Sequence, residues 1–160
     1  MKKIISIHII LLSLILMPLV ATSTRMSHTG EKIYIRNNNR VVLDALTIYH
    51  PTKNQCDKTP LITASNSKIN VDDLKNQKVR WMALSRDLLK RWNGEFKYGD
   101  TVLVTAGDPQ IDGLWIIKDT MNKRFKKRGD LLFDSQVRKL GKWRNVEISR
   151  VTWLTRTEES

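Results

Sequence analysis

Two aspartates, Asp119 and Asp130, stand where they could support acid chemistry. They are eleven residues apart: Asp119 follows the apolar run at residues 114–117, and Asp130 precedes the apolar run at 131–133. When two acids meet at neighbouring strand ends, their repulsion raises one pKa and keeps a proton available. Asp-Thr and Gly-Asp pairs are also common in turns, where the carboxylate accepts hydrogen bonds from backbone N–H groups. The sequence alone therefore offers two interpretations, an acid pair or two turn residues.

Other reactive side chains are few. Cys56 is the single cysteine, so no internal disulfide can form, and we expect it to pack as a half-buried, small apolar side chain. His50 is the one histidine inside the predicted domain, because His8 and His28 precede that domain. A metal site built from His and Cys ligands is therefore not expected, and no cofactor is predicted.

Three further features have a predicted role. Trp143 lies between Lys142 and Arg144, which predicts an exposed ring in a positive patch, suited to stacking on a sugar. The basic segment 123–128 separates the two aspartates and would surround their site with positive charge. Ser85 is a good residue type for a helix N-cap.

The elements that must position these residues are mostly short strands. β-branched and alternating apolar residues, bounded by turn signals, predict six strands at residues 41–49, 79–84, 101–106, 114–117, 129–133 and 146–154. Short helices are predicted after Ser85, with apolar positions Leu88, Leu89 and Trp92, and at residues 134–140. Residues 52–71 are predicted to form a long irregular connection. This pattern indicates a mainly β fold and favours a small barrel over a sandwich.

The first 23 residues have the layout of a secretory signal peptide. Two lysines precede an apolar run, Pro18 interrupts that run, and small residues follow it. We expect cleavage near Ser23, with an uncleaved anchor as the alternative. Residues 24–40 are then a polar arm, and residues 41–157 form one domain, because the 160 − 23 = 137 remaining residues suit a single core.

The chain is strongly basic, with a formal net charge of +12. Such an excess favours anionic partners. Because an exported protein meets acidic envelope polymers before nucleic acid, we expect an envelope polymer as partner and no nucleic acid. Membrane contact is expected only transiently, through the signal peptide, and a monomer is expected.

Three motifs follow one another in order. They are Tyr-Gly-Asp-Thr-Val at residues 98–102, Gly-Leu-Trp-Ile-Ile-Lys-Asp-Thr-Met-Asn at 113–122 and Gly-Asp-Leu-Leu-Phe at 129–133. Together they resemble the 3D (Asp-Asp-Asp) domain, over roughly residues 47–152. That family has a double-psi β-barrel, found in membrane-bound lytic transglycosylase A and in stationary-phase cell-wall lytic proteins. It is more distantly similar to the barrels of rare lipoprotein A and expansins.

The resemblance implies roles for several residues. Asp119 and Asp130 match two of the three aspartates that give the family its name, and Ser85 stands where the first aspartate is expected. Asp57 lies near the segment that matches the family's Thr-Ala pair, which begins at Thr63. The substrate-binding candidates are Asp57, Thr63, Ser85, Thr120, Asn122, Lys123, Arg128 and Trp143.

The implied activity is cleavage of peptidoglycan glycan strands. A lytic transglycosylase uses a carboxylic acid that protonates the leaving oxygen and then withdraws a proton from the sugar's own hydroxymethyl group, so no second carboxylate has to activate water. We assign Asp130 as this acid and Asp119 as its partner. Because a hydroxyl group at Ser85 cannot replace a carboxylic acid, a non-catalytic, expansin-like wall-binding module is the alternative. A basic exported protein that binds anionic lipid or partner proteins is a third.

Overall fold

The computed structural model describes residues 32–56, 58–137 and 141–155. The predicted signal peptide, the first part of the predicted arm and Asp57 lie outside these residues. Among the described residues, no helix combines the length and the apolar character needed to cross a membrane.

The described residues form a mainly β structure with one mixed sheet of seven strands. The strands are β1 (Lys32–Leu43), β2 (Ala45–Tyr49), β3 (Trp81–Leu84), β4 (Thr101–Thr105), β5 (Gly113–Thr120), β6 (Arg128–Leu132) and β7 (Val146–Thr155). Their order across the sheet is β1-β7-β4-β5-β3-β6-β2. The pairs β2–β6 and β3–β5 are parallel, and the other pairs are antiparallel.

The sheet is strongly bent. Strands β1 and β2 are at its opposite edges, yet only Asp44 separates them in the chain. Six inter-strand spacings in a flat sheet would span roughly 29 Å, whereas the chain across one residue reaches only about 7 Å. The sheet must therefore curl until its two edges approach each other at Asp44.

The main core lies on the inner face of this curl. Its buried members come from every strand of the sheet and include Leu43, Leu46, Met82, Leu84, Val102, Val104, Trp115, Ile117, Leu131, Val146 and Ile148. Trp115 packs against Phe133, with 5.6 Å between the ring centroids, and the guanidinium group of Arg80 lies 4.4 Å from the Trp115 ring. Burial of these apolar side chains holds the strands in the positions that build the site.

The strands differ from the sequence expectation at the start of the domain. The single strand predicted at 41–49 is two strands, and β1 begins at Lys32, within the segment predicted as a polar arm. The reason is long-range pairing, since Lys32 is opposite Thr155 on β7 and local composition does not report such a partner. The predicted count of six strands is therefore wrong by one.

The helical elements are shorter than expected. In place of the helix predicted after Ser85 there are two 3₁₀ turns, Arg86–Leu88 and Lys90–Trp92. Leu89 separates them because it makes a β-bridge with Phe96. Asp134 begins a turn closed by the Val137 N–H at 3.0 Å, and residues 138–140 of the second predicted helix lie outside the described residues.

One helix was not predicted. Helix α1 (Val71–Lys75) follows the irregular connection, and the Asn70 side chain caps it by accepting hydrogen bonds from the N–H groups of Asp72 and Asp73. The acidic first turn also complements the positive end of the helix dipole. The signal was an Asn cap followed by two aspartates, which is easily taken for loop sequence.

Candidate functional site

Asp119 and Asp130 lie on the two strands that flank β3, and both are opposite the same β3 residue, Ala83. Ala83 is the register partner of Asp119 on the parallel strand β5 and of Asp130 on the antiparallel strand β6. All three residues line one cleft of about 700 Å³. Because the side chain of Ala83 is only a methyl group, little side-chain volume separates the two aspartates on this strand.

A β-bulge puts Asp119 in this position. Along β3 and β5, Met82 is opposite Ile117, but the next residue, Ala83, is opposite Asp119, so Lys118 is the extra residue. The carbonyl group of Lys118 accepts a hydrogen bond of 3.1 Å from the Ser65 N–H. Bulges commonly re-aim side chains beside functional sites, and without this one Lys118 would stand opposite Ala83.

Among the described residues, three donors hold the Asp119 carboxylate. Its Oδ1 atom accepts hydrogen bonds from the N–H groups of Ala64, at 2.9 Å, and Thr120, at 2.8 Å. Its Oδ2 atom accepts one from the Tyr49 hydroxyl group at 3.2 Å. Burial, aided by the charge of Asp119, raises the pKa of Tyr49 well above its usual range, so the phenol keeps the proton that it donates. These contacts stabilise negative charge on Asp119.

Asp130 has a different environment. Its Oδ1 atom accepts a hydrogen bond of 2.8 Å from the Thr47 hydroxyl group, its register partner on β2. Burial raises the pKa of Asp130 to about 6, and the charge of Asp119 acts in the same direction, whereas Thr47 and His50 act in the opposite one. Asp130 therefore keeps its proton to a higher pH than an ordinary aspartate, which suits it to act as an acid.

The contacts of His50 indicate which of its ring nitrogens carries a proton. Nδ1 lies 3.1 Å from the carbonyl oxygen of Phe133, which can only accept, so Nδ1 carries a proton in this contact. The Sγ atom of Cys56 donates to the His50 carbonyl oxygen at 3.4 Å. Cys56 is half-buried, as predicted, and it also lines the cleft, which was not predicted.

Several predicted substrate-binding residues meet in this cleft. Thr63, Thr120 and Asn122 line it together with both aspartates. Thr63 is buried and its hydroxyl group lies 3.0 Å from that of Ser65, so it also organises its own loop. Asn122 accepts a hydrogen bond from the Arg124 N–H at 3.1 Å, which shapes the loop on the other side of the cleft.

Ser85 is neither the helix N-cap nor the substrate-binding residue that the sequence suggests. It has no exposed surface, and its hydroxyl group accepts a hydrogen bond of 3.0 Å from the Arg128 N–H instead of capping the turn that follows. The Ser85 N–H donates in return to the Arg128 carbonyl oxygen at 2.9 Å. Ser85 therefore joins β3 to the start of β6 and presents nothing to a ligand.

Trp143 also differs from expectation, because it is half-buried against the core. Its backbone exchanges two hydrogen bonds with Leu46, of 2.9 and 3.0 Å, and its ring nitrogen donates to Asp108 at 3.2 Å. These contacts draw the ring inward, away from the exposed positive patch that Lys142 and Arg144 suggested. Trp143 is not one of the cleft residues.

The basic segment contributes differently from the prediction. Lys123 is exposed and Arg128 is half-buried, with its guanidinium group 5.3 Å from the Phe125 ring. The cations that line the cleft are Arg124, from this segment, and Arg86, just after β3. Arg86, Tyr49 and Ala83 were not identified from sequence, since each lies in or next to an apolar run where a core role is the natural interpretation.

Comparison with models of known protein families gave no match, and comparison with curated proteins gave no significant match. What the cleft can do chemically therefore follows from its geometry. That geometry combines a carboxylate held by three donors, a second carboxyl group with a raised pKa, and arginines at the edge.

Proposed function

We propose that this chain is an exported double-psi β-barrel protein of the 3D type that binds peptidoglycan glycan strands and cleaves them as lytic transglycosylases do. Two features of the sheet support the barrel. Its edge strands are joined through Asp44, and each of its parallel pairs, β2–β6 and β3–β5, requires a crossing connection. The three motifs and the predicted signal peptide support the family and the location.

The observation that carries the proposal is the unequal pair of carboxyl groups beside Ala83. Asp130, with a pKa raised to about 6, protonates the leaving oxygen of the glycosidic bond. Its carboxylate then withdraws the proton of the sugar's hydroxymethyl group, whose oxygen closes the anhydro ring. The Asp119 carboxylate, which accepts hydrogen bonds from three described donors, stabilises the positive charge that develops on the sugar in the transition state.

The size of the cleft and the net charge of the chain support a polymeric anionic substrate. A volume of about 700 Å³ is within the range of small-molecule sites and accommodates a short stretch of glycan. The net charge is +12 for the whole chain and 12 − 2 = +10 without Lys2 and Lys3 of the predicted signal peptide, and it favours the acidic polymers of an envelope over neutral glycans. We propose that the protein acts as a monomer and needs no cofactor.

The test is incubation of the purified protein with intact sacculi, followed by mass spectrometry for anhydro-muropeptides. We expect product from the wild-type protein and at least about a hundredfold less from Asp130→Asn, since general acid catalysis contributes about that factor. Asp44→Asn is the matched control, because Asp44 is exposed, and it should retain activity. Equal product from wild type and Asp130→Asn would contradict the proposal.

One observation favours a second candidate, a wall-binding module without catalysis. The position that matches the family's first aspartate is Ser85, whose side chain is buried and bonded to the Arg128 N–H. If three carboxylates are needed for catalysis, this chain supplies only Asp119 and Asp130 at the matched positions. Pelleting with sacculi without anhydro product would support this candidate.

A further inference from the structure

Arg86 carries a positive charge at the cleft that is not neutralised by its described neighbours. It follows β3 directly after Ser85, three residues from Ala83, and it lines the same cleft as the aspartates. The ion pairs between described residues involve Arg40, Lys78 and Arg150. The Nε atom of Arg86 is buried and has no hydrogen-bond partner within the described part of the chain.

The Arg86 guanidinium group is also held in place. Its Cζ atom lies 5.1 Å from the centroid of the Trp92 ring, a stacking contact that limits its side-chain freedom. Arg91 approaches the same ring, at 5.4 Å, but is not one of the cleft residues. A fixed, unpaired guanidinium group is prepared to bind a planar anion, because little conformational entropy remains to be lost on binding.

Arg86 also lies near Tyr98. The pKa of the Tyr98 phenol is raised by burial, with Asp119 acting in the same direction, whereas a hydrogen bond with Thr120 and the charges of Arg91 and Arg86 act in the opposite one. Tyr98 is therefore within electrostatic range of Asp119, Arg91 and Arg86.

The loop after β5 adds a second cation. Arg124 lines the cleft, and its guanidinium group lies 4.8 Å from the centroid of the Phe125 ring. Arg128 approaches the same ring at 5.3 Å, so Phe125, which also lines the cleft, is in contact with two arginines. Without these cations, a cleft containing two aspartates would repel an anionic polymer.

We propose that Arg86, assisted by Arg124, is an anion subsite that binds a carboxylate group carried by the substrate glycan in the cleft that also contains Asp119 and Asp130. This inference rests on the proposed function and names the chemistry that the cleft selects. A carboxylate fits because a guanidinium group bonds it in a planar, charge-assisted contact. Such carboxylates occur on peptide substituents and on acidic sugars, and phosphate-bearing wall polymers are the competing source of negative charge.

The experiment is co-sedimentation of the protein with three preparations of sacculi: intact, with carboxylates amidated by carbodiimide and ammonia, and with phosphate polymers removed by hydrofluoric acid. We expect amidation to weaken wild-type binding about tenfold or more, the usual range for a charge-assisted contact, and phosphate removal to change it little. Adding free peptide-substituted and uronic-acid oligosaccharides as competitors distinguishes the two carboxylate sources.

Variants of three arginines test the same contact from the side of the protein. Arg86→Gln should lower affinity for intact sacculi about tenfold and lose most of its sensitivity to amidation, because the two changes remove the same contact. Arg91→Gln is the matched control: it removes the same charge from the same aromatic ring outside the cleft and should change affinity less than about twofold. Arg124→Gln should have an intermediate effect.

The outcomes separate the two proposals. If the wild-type protein neither binds nor cleaves intact sacculi, the proposed function fails and the subsite with it. If it does bind or cleave but tolerates amidation, or if Arg86→Gln behaves like Arg91→Gln, only the subsite is overturned. The subsite is also overturned if binding is lost after phosphate removal but not after amidation. The amidation comparison uses wild-type protein and does not depend on whether any variant folds.

Discussion

Thr47 and Asp130 are register partners on the parallel strands β2 and β6, and the Thr47 hydroxyl group donates a 2.8 Å hydrogen bond to Oδ1 of Asp130. This bond favours the ionised carboxylate and lowers its pKa. Burial nevertheless outweighs it, because the pKa of Asp130 is raised from 3.8 to about 6. The native fold therefore holds a proton that the unfolded chain gives up two pH units earlier.

This difference predicts how stability depends on pH. Because the folded pKa is raised, the native state binds more protons between pH 4 and 6, so the contribution of Asp130 to stability is lost as pH rises through that interval. The loss is at most about 3 kcal/mol, from roughly 1.4 kcal/mol per pH unit. Asp130→Asn keeps an acceptor for Thr47 and should therefore be more stable than wild type at pH 7 but not at pH 4.

Urea unfolding of both proteins from pH 4 to pH 8 measures this effect. The difference in the free energy of unfolding between Asp130→Asn and wild type should grow across pH 4 to 6 and then level off. Asp44→Asn, at an exposed site, should give a flat difference. A flat difference for Asp130→Asn as well would show that Asp130 has an ordinary pKa.

The same pKa predicts a pH limit on cleavage. If Asp130 protonates the leaving oxygen of the glycosidic bond as proposed, kcat/KM for anhydro-product formation should fall about tenfold per pH unit above about 6. Initial rates with soluble glycan fragments between pH 5 and pH 8.5 check this. A rate that rises through this range would instead indicate a group that acts as a base in the free enzyme.

Tyr49→Phe tests how Asp119 is held. The change removes the hydroxyl donor at 3.2 Å and leaves Oδ2 of a carboxylate without its described partner. We expect a loss of about 1–3 kcal/mol in the free energy of unfolding at pH 7, typical for a hydrogen bond to a charged group. A double-mutant cycle with Asp119→Asn should give a coupling energy of similar size, whereas additive effects would mean that the two side chains do not interact.

The sequence predicted the strands well where local pattern and pairing agree. The strand predicted at 101–106 is β4, and the one at 129–133 is β6, displaced by one residue. β-branched and apolar residues on a half-buried surface produce that signal. The beginning of β1 was missed because only its partner β7 makes it a strand, and the helix after Ser85 was overestimated because Leu89 pairs with Phe96.

The candidate site could be predicted only in part. The two aspartates were selected from their motifs, and both line the same cleft. The alternation of side chains along β5 cannot reveal the bulge at Lys118 that brings Asp119 opposite Ala83. Arg86 was not predicted as a site residue for a different reason. In sequence it is one cation among many, and only the folded chain stacks it on Trp92 at the edge of the cleft.

Ser85→Ala tests the buried link between β3 and β6. The substitution leaves the Arg128 N–H without the hydroxyl group that accepts its hydrogen bond at 3.0 Å. We expect a loss of about 1–3 kcal/mol in the free energy of unfolding, measured by urea denaturation. Ser135→Ala, at an exposed position, should change stability by less than about 0.5 kcal/mol. Equal effects of the two changes would show that the buried bond contributes nothing.

Gly129→Ala tests how tightly the core packs beside Asp130. A methyl group at this position would lie 2.9 Å from Cδ1 of Leu46 and 3.1 Å from Cδ1 of Leu43. Both atoms are the ends of leucine side chains with no exposed surface, so these side chains must move within a filled core, and we expect a loss of about 1–3 kcal/mol in the free energy of unfolding. Because Leu46 is the register partner of Gly129, Leu46→Ala should make room for the new methyl group.

The double variant Gly129→Ala/Leu46→Ala should therefore lose less stability than the sum of the two single variants, by at least about 0.5 kcal/mol. The cycle measures the contact itself, because any general effect of alanine on strand β6 is present in both of the variants that carry Gly129→Ala. Strict additivity would mean that the two positions do not compete for space.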